Sequence, residues 1–465
     1  MTVPYWVQDA IFYQIFPDRF ADGDPSNNPA NVQAWGTPPT IWGFQGGDLR
    51  GVIQKMDYLL DLGVSALYLN PIFRSTSNHR YNISDYFQID PKLGDMKDFN
   101  ALLDTAHSNG MRVILDGVFN HCGRGFFAFN DILENQEHSP YRDWFHIRKH
   151  PVEAYSPGDA QDYLAWWGFK SMPKFNAANP QVRQFLMEVA RYWIRQGADG
   201  WRLDVPNEID DDDFWAEFRQ TVKSVNRDAY LVGEIWTVDP RWVGERHFDG
   251  LMGYPLREEL LAFLTVSSHT ASQFAEKVDT LLKSYPRENL YAMYLPLGTH
   301  DTERVMTALG GDLRKVKLAT MIQFAFPGAP AIYYGDEIGL SGGKDPECRA
   351  AFPWDHAHWN FELHEWVKRL AHLRKRLAVL RRGSYQRVKV DDRRRCLAFA
   401  RLLGDDRLLV VVNSSQVPCH IRLPVCDLGW QDGQIVKNLL GEGEYIVSGD
   451  SLSVSLSPCS GVWLK

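Results

Sequence analysis

Gly200-Trp201-Arg202-Leu203-Asp204 is a short apolar run that ends on an acid, and Tyr230-Leu231-Val232-Gly233-Glu234 repeats the arrangement one helix length later. In both, residues with strand preferences lead to a carboxylate placed where a buried strand would give way to a loop. Between them Asp213 to Val225 has helical periodicity, so strand, helix and strand follow in the βαβ order of a parallel sheet. A third acid, Asp301, closes Leu297-Gly298-Thr299-His300-Asp301. Parallel barrels gather their chemistry at the carboxyl ends of their strands, so the three acids, with Arg202 and His300 beside them, read as one site.

Outward from this pair the alternation extends through most of the chain. Strand-like runs occur at Ile11 to Phe16, Val64 to Leu69, Val113 to Phe119, Trp201 to Val205, Tyr230 to Trp236, Leu251 to Tyr254, Tyr294 to Leu297 and Ala331 to Tyr334, with amphipathic stretches such as Asn179 to Arg195 between them. Eight such units predict an α/β fold, a (β/α)8 TIM barrel. The third and fourth strands lie too far apart for one helix, and the segment between them is rich in Pro, Gly and aromatics (Trp144, Tyr155, Tyr163, Trp166, Trp167). It predicts an inserted loop domain over residues 121–177, which splits the barrel into 1–120 and 178–383. After a helical stretch from Phe361 to Arg381, short alternating runs (Leu397 to Leu402, Leu408 to Val412, His420 to Leu423, Leu452 to Leu456) predict an all-β sandwich over 384–465.

Composition narrows the function. A formal net charge of −8 lacks the basic footprint of a nucleic-acid or anionic-membrane partner. No run approaches the roughly 18 apolar residues of a membrane helix. The start, Met1-Thr2-Val3-Pro4-Tyr5-Trp6, has no basic and apolar leader pattern, and the expected location is cytoplasmic. Six cysteines without metal-binding spacing are expected as free thiols.

Four segments, Asp116-Gly117-Val118-Phe119-Asn120-His121, Gly200 to Asp204, Gly233-Glu234-Ile235-Trp236 and Thr299-His300-Asp301, closely resemble the hallmark motifs of the α-amylase superfamily of retaining glycoside hydrolases (glycoside hydrolase family 13). Met172-Pro173-Lys174-Phe175-Asn176 and Val205-Pro206-Asn207-Glu208 resemble signatures of its neopullulanase, cyclomaltodextrinase and maltogenic amylase subgroup, with Phe175 in place of Leu and Pro206 in place of Ala. Members of that subgroup usually carry an N-terminal domain that builds a dimer. This chain starts almost directly at its first expected strand.

The resemblance implies roles. Asp204 would be the nucleophile, Glu234 the general acid and base, and Asp301 the third acid that orients sugar hydroxyls; retaining chemistry sets the first two carboxyls about 5 Å apart. Tyr81, Arg202, His121 and His300 would serve the cleavage subsite, with Arg202 keeping Asp204 ionised, and Asp345 and Arg349 would bind the next sugar. Asn207, Glu208 and Trp236 would decide linkage and acceptor on the leaving-group side. The loop Asp22-Gly23-Asp24-Pro25-Ser26-Asn27-Asn28 with Gly46-Gly47-Asp48 reads either as an Asx-rich turn or as a cluster of hard oxygens suited to Ca²⁺. The resemblance favours a structural calcium ion held by Asp22, Asp24, Asn27, Asn28, the Gly46 carbonyl and Asp48, with no cofactor in catalysis. The expected substrate is an α-glucan oligosaccharide or polysaccharide cleaved at α-1,4 bonds, with α-1,6 bonds as a second target and some transglycosylation. A debranching enzyme acting on α-1,6 branches is the alternative within enzymes, and a non-catalytic carbohydrate-binding barrel is the alternative outside them.

Overall fold

Strands that will be covered on both faces need continuous apolar runs, and that is how the barrel strands of this chain are built. In the computed structural model, which describes residues 3–265 and 269–465, eight parallel strands form one sheet: β1 (Phe12–Ile15), β2 (Ala66–Leu69), β3 (Arg112–Gly117), β4 (Gly200–Leu203), β5 (Tyr230–Gly233), β6 (Gly250–Leu251), β7 (Tyr294–Pro296) and β8 (Ala329–Tyr333). Met1 and Thr2, where the N-terminal reading begins, lie outside the described residues. The strand order is β6-β5-β4-β3-β2-β1-β8-β7, and β1 pairs with both neighbours in register, Phe12 with Ala66 and with Ala331. A parallel bridge between Met252 and Tyr294 joins the two ends of the sheet, with Gly253 N donating to Tyr294 O at 2.7 Å. The barrel is filled. Phe12 lies 5.8 Å from Tyr230 and 5.2 Å from Tyr294, and Trp6 closes the lower end against Phe12.

The helices between strands start where the sequence supplies caps. Pro180–Arg195 begins with Asn179, whose side chain accepts from Gln181 N, followed by a proline whose fixed φ suits the first turn. Its buried residues Val182, Leu186, Val189, Ala190 and Trp193 recur at helical spacing against the sheet. Asp212–Val225 is capped by Asp211 in the same way.

Two insertions overhang the carboxyl end of the barrel. A hairpin, Phe73–Ser75 with Ile83–Ile89, follows β2 and was not anticipated from sequence. Residues 121–177 contain one helix, Phe127–Asn135, and otherwise short turns tied by isolated bridges, His121 to Lys174 and Ala165 to Pro173 among them. Phe129, Phe145, Tyr163 and Phe175 pack there into the same apolar cluster as the barrel.

The helical stretch after the barrel divides at Leu377 into Phe361–Arg376 and Ala378–Arg382. Beyond it stand two four-stranded antiparallel sheets. One has the order Ser384–Asp391, Cys396–Leu403, Asp406–Asn413, Ser460–Leu464, and the other Cys419–Pro424, Ser451–Leu456, Glu444–Ser448, Ile435–Lys437. Ala398, Val411, Ile421, Val454 and Leu464 share the core they enclose. Arg401, fully buried, reaches out of the first sheet to donate to the carbonyls of Ala325 and Gly383, and burial pushes its pKa down to about 10. Arg374 is buried next to it, donating to the carbonyls of Phe324, Gly328 and Leu380. Among the described residues, no helix is long and apolar enough to cross a membrane.

Candidate active site

Because β3, β4 and β5 are adjacent and in register, the residues at their ends must meet. Asp116 on β3 stands opposite Arg202 on β4, and Arg202 opposite Val232 on β5. The Arg202 guanidinium is 1% exposed and holds three carboxylates at 2.9 Å: Asp116 and Asp204 through Nη1, Glu234 through Nη2. One cation among three buried acids cannot neutralise them all, so the cluster has reason to retain protons. Burial raises the Asp204 carboxyl, with Glu234 and Asp116 adding to the rise and Arg202 opposing it. Burial likewise raises Glu234 against the pull of Arg202. The guanidinium expected to keep Asp204 ionised is shared by three carboxylates, and its pull is divided among them.

The two oxygens of Glu234 are not equivalent. Oε2 lies 2.9 Å from Arg202 Nη2 as an ion pair and accepts from Val205 N at 3.0 Å, whereas among the described residues Oε1 accepts only from Trp236 Nε1 at 3.3 Å. Oε1 is therefore the oxygen with room for a proton. Val205 reaches Glu234 by adopting φ 35° and ψ 52°, left-handed values that a β-branched residue before proline rarely takes.

Asp301 completes the group from the end of β7. It accepts from His300 Nε2 at 3.0 Å and from Arg349 Nη2 at 3.2 Å. Burial alone would raise its pKa, but the neighbouring His300 and the Arg349 guanidinium hold its carboxyl well below the usual carboxylate range. Asp301 is the anion of the site. Arg349 also pairs with the exposed Asp345 at 3.1 Å. Tyr81, on the turn of the unanticipated hairpin, stacks on His300 with ring centroids 5.4 Å apart, and its hydroxyl lies 2.7 Å from Asp116 Oδ2 and 2.5 Å from His300 Nε2. His121 is 1% exposed, and burial with the nearby Lys174 lowers its pKa to about 3, so it is a neutral ring at pH 7. Among the described residues its Nε2 and the Asn120 Oδ1 are buried without a hydrogen-bond partner.

The leaving-group residues stand at the rim. Asn207 is exposed on a short turn, Pro206–Glu208. Glu208 is anchored by Lys174 Nζ, which donates to its carbonyl at 2.7 Å and lies 3.3 Å from its carboxylate. Trp236 is 45% exposed and stacks on Tyr254 at 3.7 Å and 6°.

Several contributors carried no role in the sequence reading. Asp116 belonged to a quoted motif only as a marker. Gln14 Nε2 lies 2.9 Å from His300 Nδ1 and donates to Asn70 Oδ1 at 3.0 Å, and Asn70 Nδ2 donates to the Tyr81 hydroxyl at 3.0 Å. The available signal was a polar residue inside an apolar run, visible for Gln14 and Asp116. Lys174 and Tyr254 gave no such signal.

The proposed calcium loop is ordered around Asp48, which caps the helix Leu49–Gln54. Its Oδ1 accepts from Gly51 N at 2.6 Å, and its Oδ2 from Asp24 N at 2.8 Å and Asn27 Nδ2 at 3.1 Å. Asp24 pairs with Arg50 at 3.0 Å, and Asp22 accepts from Asn28 Nδ2 at 2.8 Å. Among the described residues the amide oxygens of Asn27 and Asn28 are buried without a partner, and a Cβ on Gly46 would meet that of Asn28 at 2.3 Å. Among the described residues no three His, Cys, Asp or Glu side chains converge as a metal group, so the oxygens that fit a hard cation here are mainly amide ones.

A family model for the α-amylase catalytic domain matches residues 14–380, and one for the maltogenic amylase C-terminal domain matches residues 385–463. A cyclomaltodextrinase of Geobacillus thermopakistaniensis is 45% identical over 98% of this chain and 76% of its own length. The structure of a cyclic α-maltosyl-(1→6)-maltose hydrolase from Arthrobacter globiformis superposes with a TM-score of 0.91 at 39% identity, covering 100% of both chains. A debranching enzyme from Nostoc punctiforme superposes with a TM-score of 0.89 at 39% identity, covering 100% of this chain and 99% of that one.

Proposed function

This chain belongs to the α-amylase family, in the branch of cyclomaltodextrinases, neopullulanases and maltogenic amylases, and on that premise we propose how it cleaves α-glucans. It is a retaining glycoside hydrolase acting on maltooligosaccharides, cyclodextrins or branched glucans. The observation that carries the assignment of roles is the single guanidinium of Arg202 shared by Asp204 and Glu234 at the floor of the site. Asp204 attacks the anomeric carbon, and Glu234 gives the proton on Oε1 to the leaving oxygen, then takes one from the incoming water. Asp301, held anionic beside His300 and Arg349, accepts hydrogen bonds from hydroxyls of the sugar as its ring flattens. Tyr81 supplies an aromatic face, and His121 a neutral ring nitrogen, to the same sugar. Asp345 and Arg349 meet the adjoining sugar on one side; Asn207, Glu208 and Trp236 meet the acceptor on the other.

The first reading of linkage is α-1,4. The full-length likeness to a debranching enzyme favours α-1,6 as the second. Pullulan separates them: panose among the chromatographed products means α-1,4 cleavage, and maltotriose means α-1,6 cleavage and overturns the first reading.

A structural calcium ion is part of the proposal, with the unpartnered Asn27 and Asn28 oxygens, the Gly46 carbonyl and Asp22 as its nearest holders and Asp24 and Asp48 framing them. Its chemistry is to neutralise and fix the loop. Calcium should then raise the Tm of chelator-treated protein, by the linkage of about 2.7 kcal/mol at 100 times Kd, and Asn28→Ala should remove that response. A Tm indifferent to calcium would leave an ordinary Asx turn. The cytoplasm is proposed as the compartment because all six thiols are unbridged.

A further inference from the structure

Most large aromatic side chains of this protein are inside it. Trp193, Trp201, Trp215 and Trp463 are fully buried, yet Trp167 is 77% exposed. It is also the middle residue of a turn, Trp166–Gly168, at φ 48° and ψ 27°. Left-handed backbone disfavours a side chain with a Cβ, and such conformations persist where surrounding structure enforces them, often at ligand clamps. The enforcement is visible. Trp166 N donates to Met172 O at 3.0 Å, Gly168 N to Ala165 O at 3.2 Å, Phe169 N to Trp166 O at 3.0 Å, and Ala160 N to Gly168 O at 2.8 Å.

The rings are connected to the active site. Trp167 stacks on Trp166 at 5.0 Å and 9°, and Trp166 stacks on His121 at 5.5 Å and 25°. His121 is one of the residues proposed above to touch the sugar being cleaved. Among the described residues the indole Nε1 of Trp166, itself buried, has no partner. A strained turn and an exposed flat ring thus connect through stacked rings to His121.

We infer that Trp167 is a stacking platform for a glucosyl ring outside the cleavage subsite, with Trp166 supporting it from behind. The inference rests on the α-glucan reading above and sharpens it: substrates long enough to reach the turn gain binding that short ones do not. The strain is the cost of presenting the ring. Glycine takes left-handed values without that cost, so Trp167→Gly separates the two effects.

The test compares wild type, Trp167→Gly and Trp167→Phe on maltotriose and maltoheptaose, together with their melting temperatures. Trp167→Gly should raise Tm while the ratio of kcat/KM on maltoheptaose to that on maltotriose falls about 10-fold, the gain in Tm being the released strain. Trp167→Phe should keep more than a third of that ratio. An unchanged ratio in Trp167→Gly overturns the platform. So does a lower Tm with equal losses on both substrates, which would make Trp167 a packing residue. A wild type inert toward both glucans overturns the parent reading, and the platform with it.

Discussion

The floor and the rim of the cleft are held by different means. At the floor, Arg202 is fully buried and every carboxylate near it is fixed by two or more donors or by a strand end. At the rim, Asn207 and Asp345 are exposed, Trp167 stands out into solvent, and Trp236 is steadied chiefly by one stacked ring. A floor of this kind has one geometry and therefore one reaction. A rim of this kind can change partner by changing one loop residue, which is how one barrel serves substrates of several linkages and lengths.

The contrast can be tried from the bottom upward. Asp204→Asn should abolish turnover, and Glu234→Gln should lower kcat by about 10³-fold on a substrate that needs protonation of its leaving group, since general acid catalysis contributes on that order. Steady-state kinetics on maltoheptaose check both, and wild-type activity in Asp204→Asn would remove it as nucleophile. Asp116→Asn should act through charge. Asp204 and Glu234 must share one proton for activity, and their raised pKa values mean that activity is lost as pH rises through them. Removing the negative neighbour Asp116 eases that deprotonation, so the alkaline limb of the kcat profile should move to lower pH; a limb that stays or moves up would exclude Asp116 from the titrating group. The smallest effect belongs to the rim. Tyr254→Ala should lower kcat/KM by about 5-fold by freeing Trp236, as expected for one aromatic stack, while Tyr254→Phe should not. Equal losses in both would assign the effect to the Tyr254 hydroxyl bond to Thr299 instead.

The same contrast governs what the sequence made legible. Seven barrel strands could be read because a strand buried on both faces is a continuous apolar run; the sixth, Gly250–Leu251, meets the expected run Leu251 to Tyr254 only at Leu251, since Tyr254 opens a helix. The three acids could be read because the apolar runs before them lead to one. Ser384–Asp391 is mostly half-buried and polar, and the hairpin Phe73–Ser75 with Ile83–Ile89 holds a three-residue strand, so neither pattern rises above that of a loop. The site shows the same division. Asp204, Glu234 and Asp301 announce themselves at strand ends, but the contacts of Gln14 with His300, Lys174 with Glu208 and Tyr254 with Trp236 join segments far apart in the chain. Only the closed barrel brings them together. The Pro206–Glu208 turn, of which Asn207 is the exposed residue, shows why linkage stays the least legible property: Val205 reaches Glu234 through a backbone conformation that its side chain and the following proline would both discourage.

The two recognisable parts of the chain meet within a few residues of Gly383, where a reader of sequence would place the cut. Arg401 crosses that border and ends on the carbonyl oxygens of Ala325 and Gly383, while Arg374 approaches the same place from the barrel side. A guanidinium sealed away from water and answered by two carbonyls and Tyr291 is a costly thing to assemble, and it can be assembled only when both parts are present. A barrel shortened at Gly383 would lose the donor that caps its carbonyls, and a sandwich expressed alone would leave Arg401 without the carbonyls that receive it.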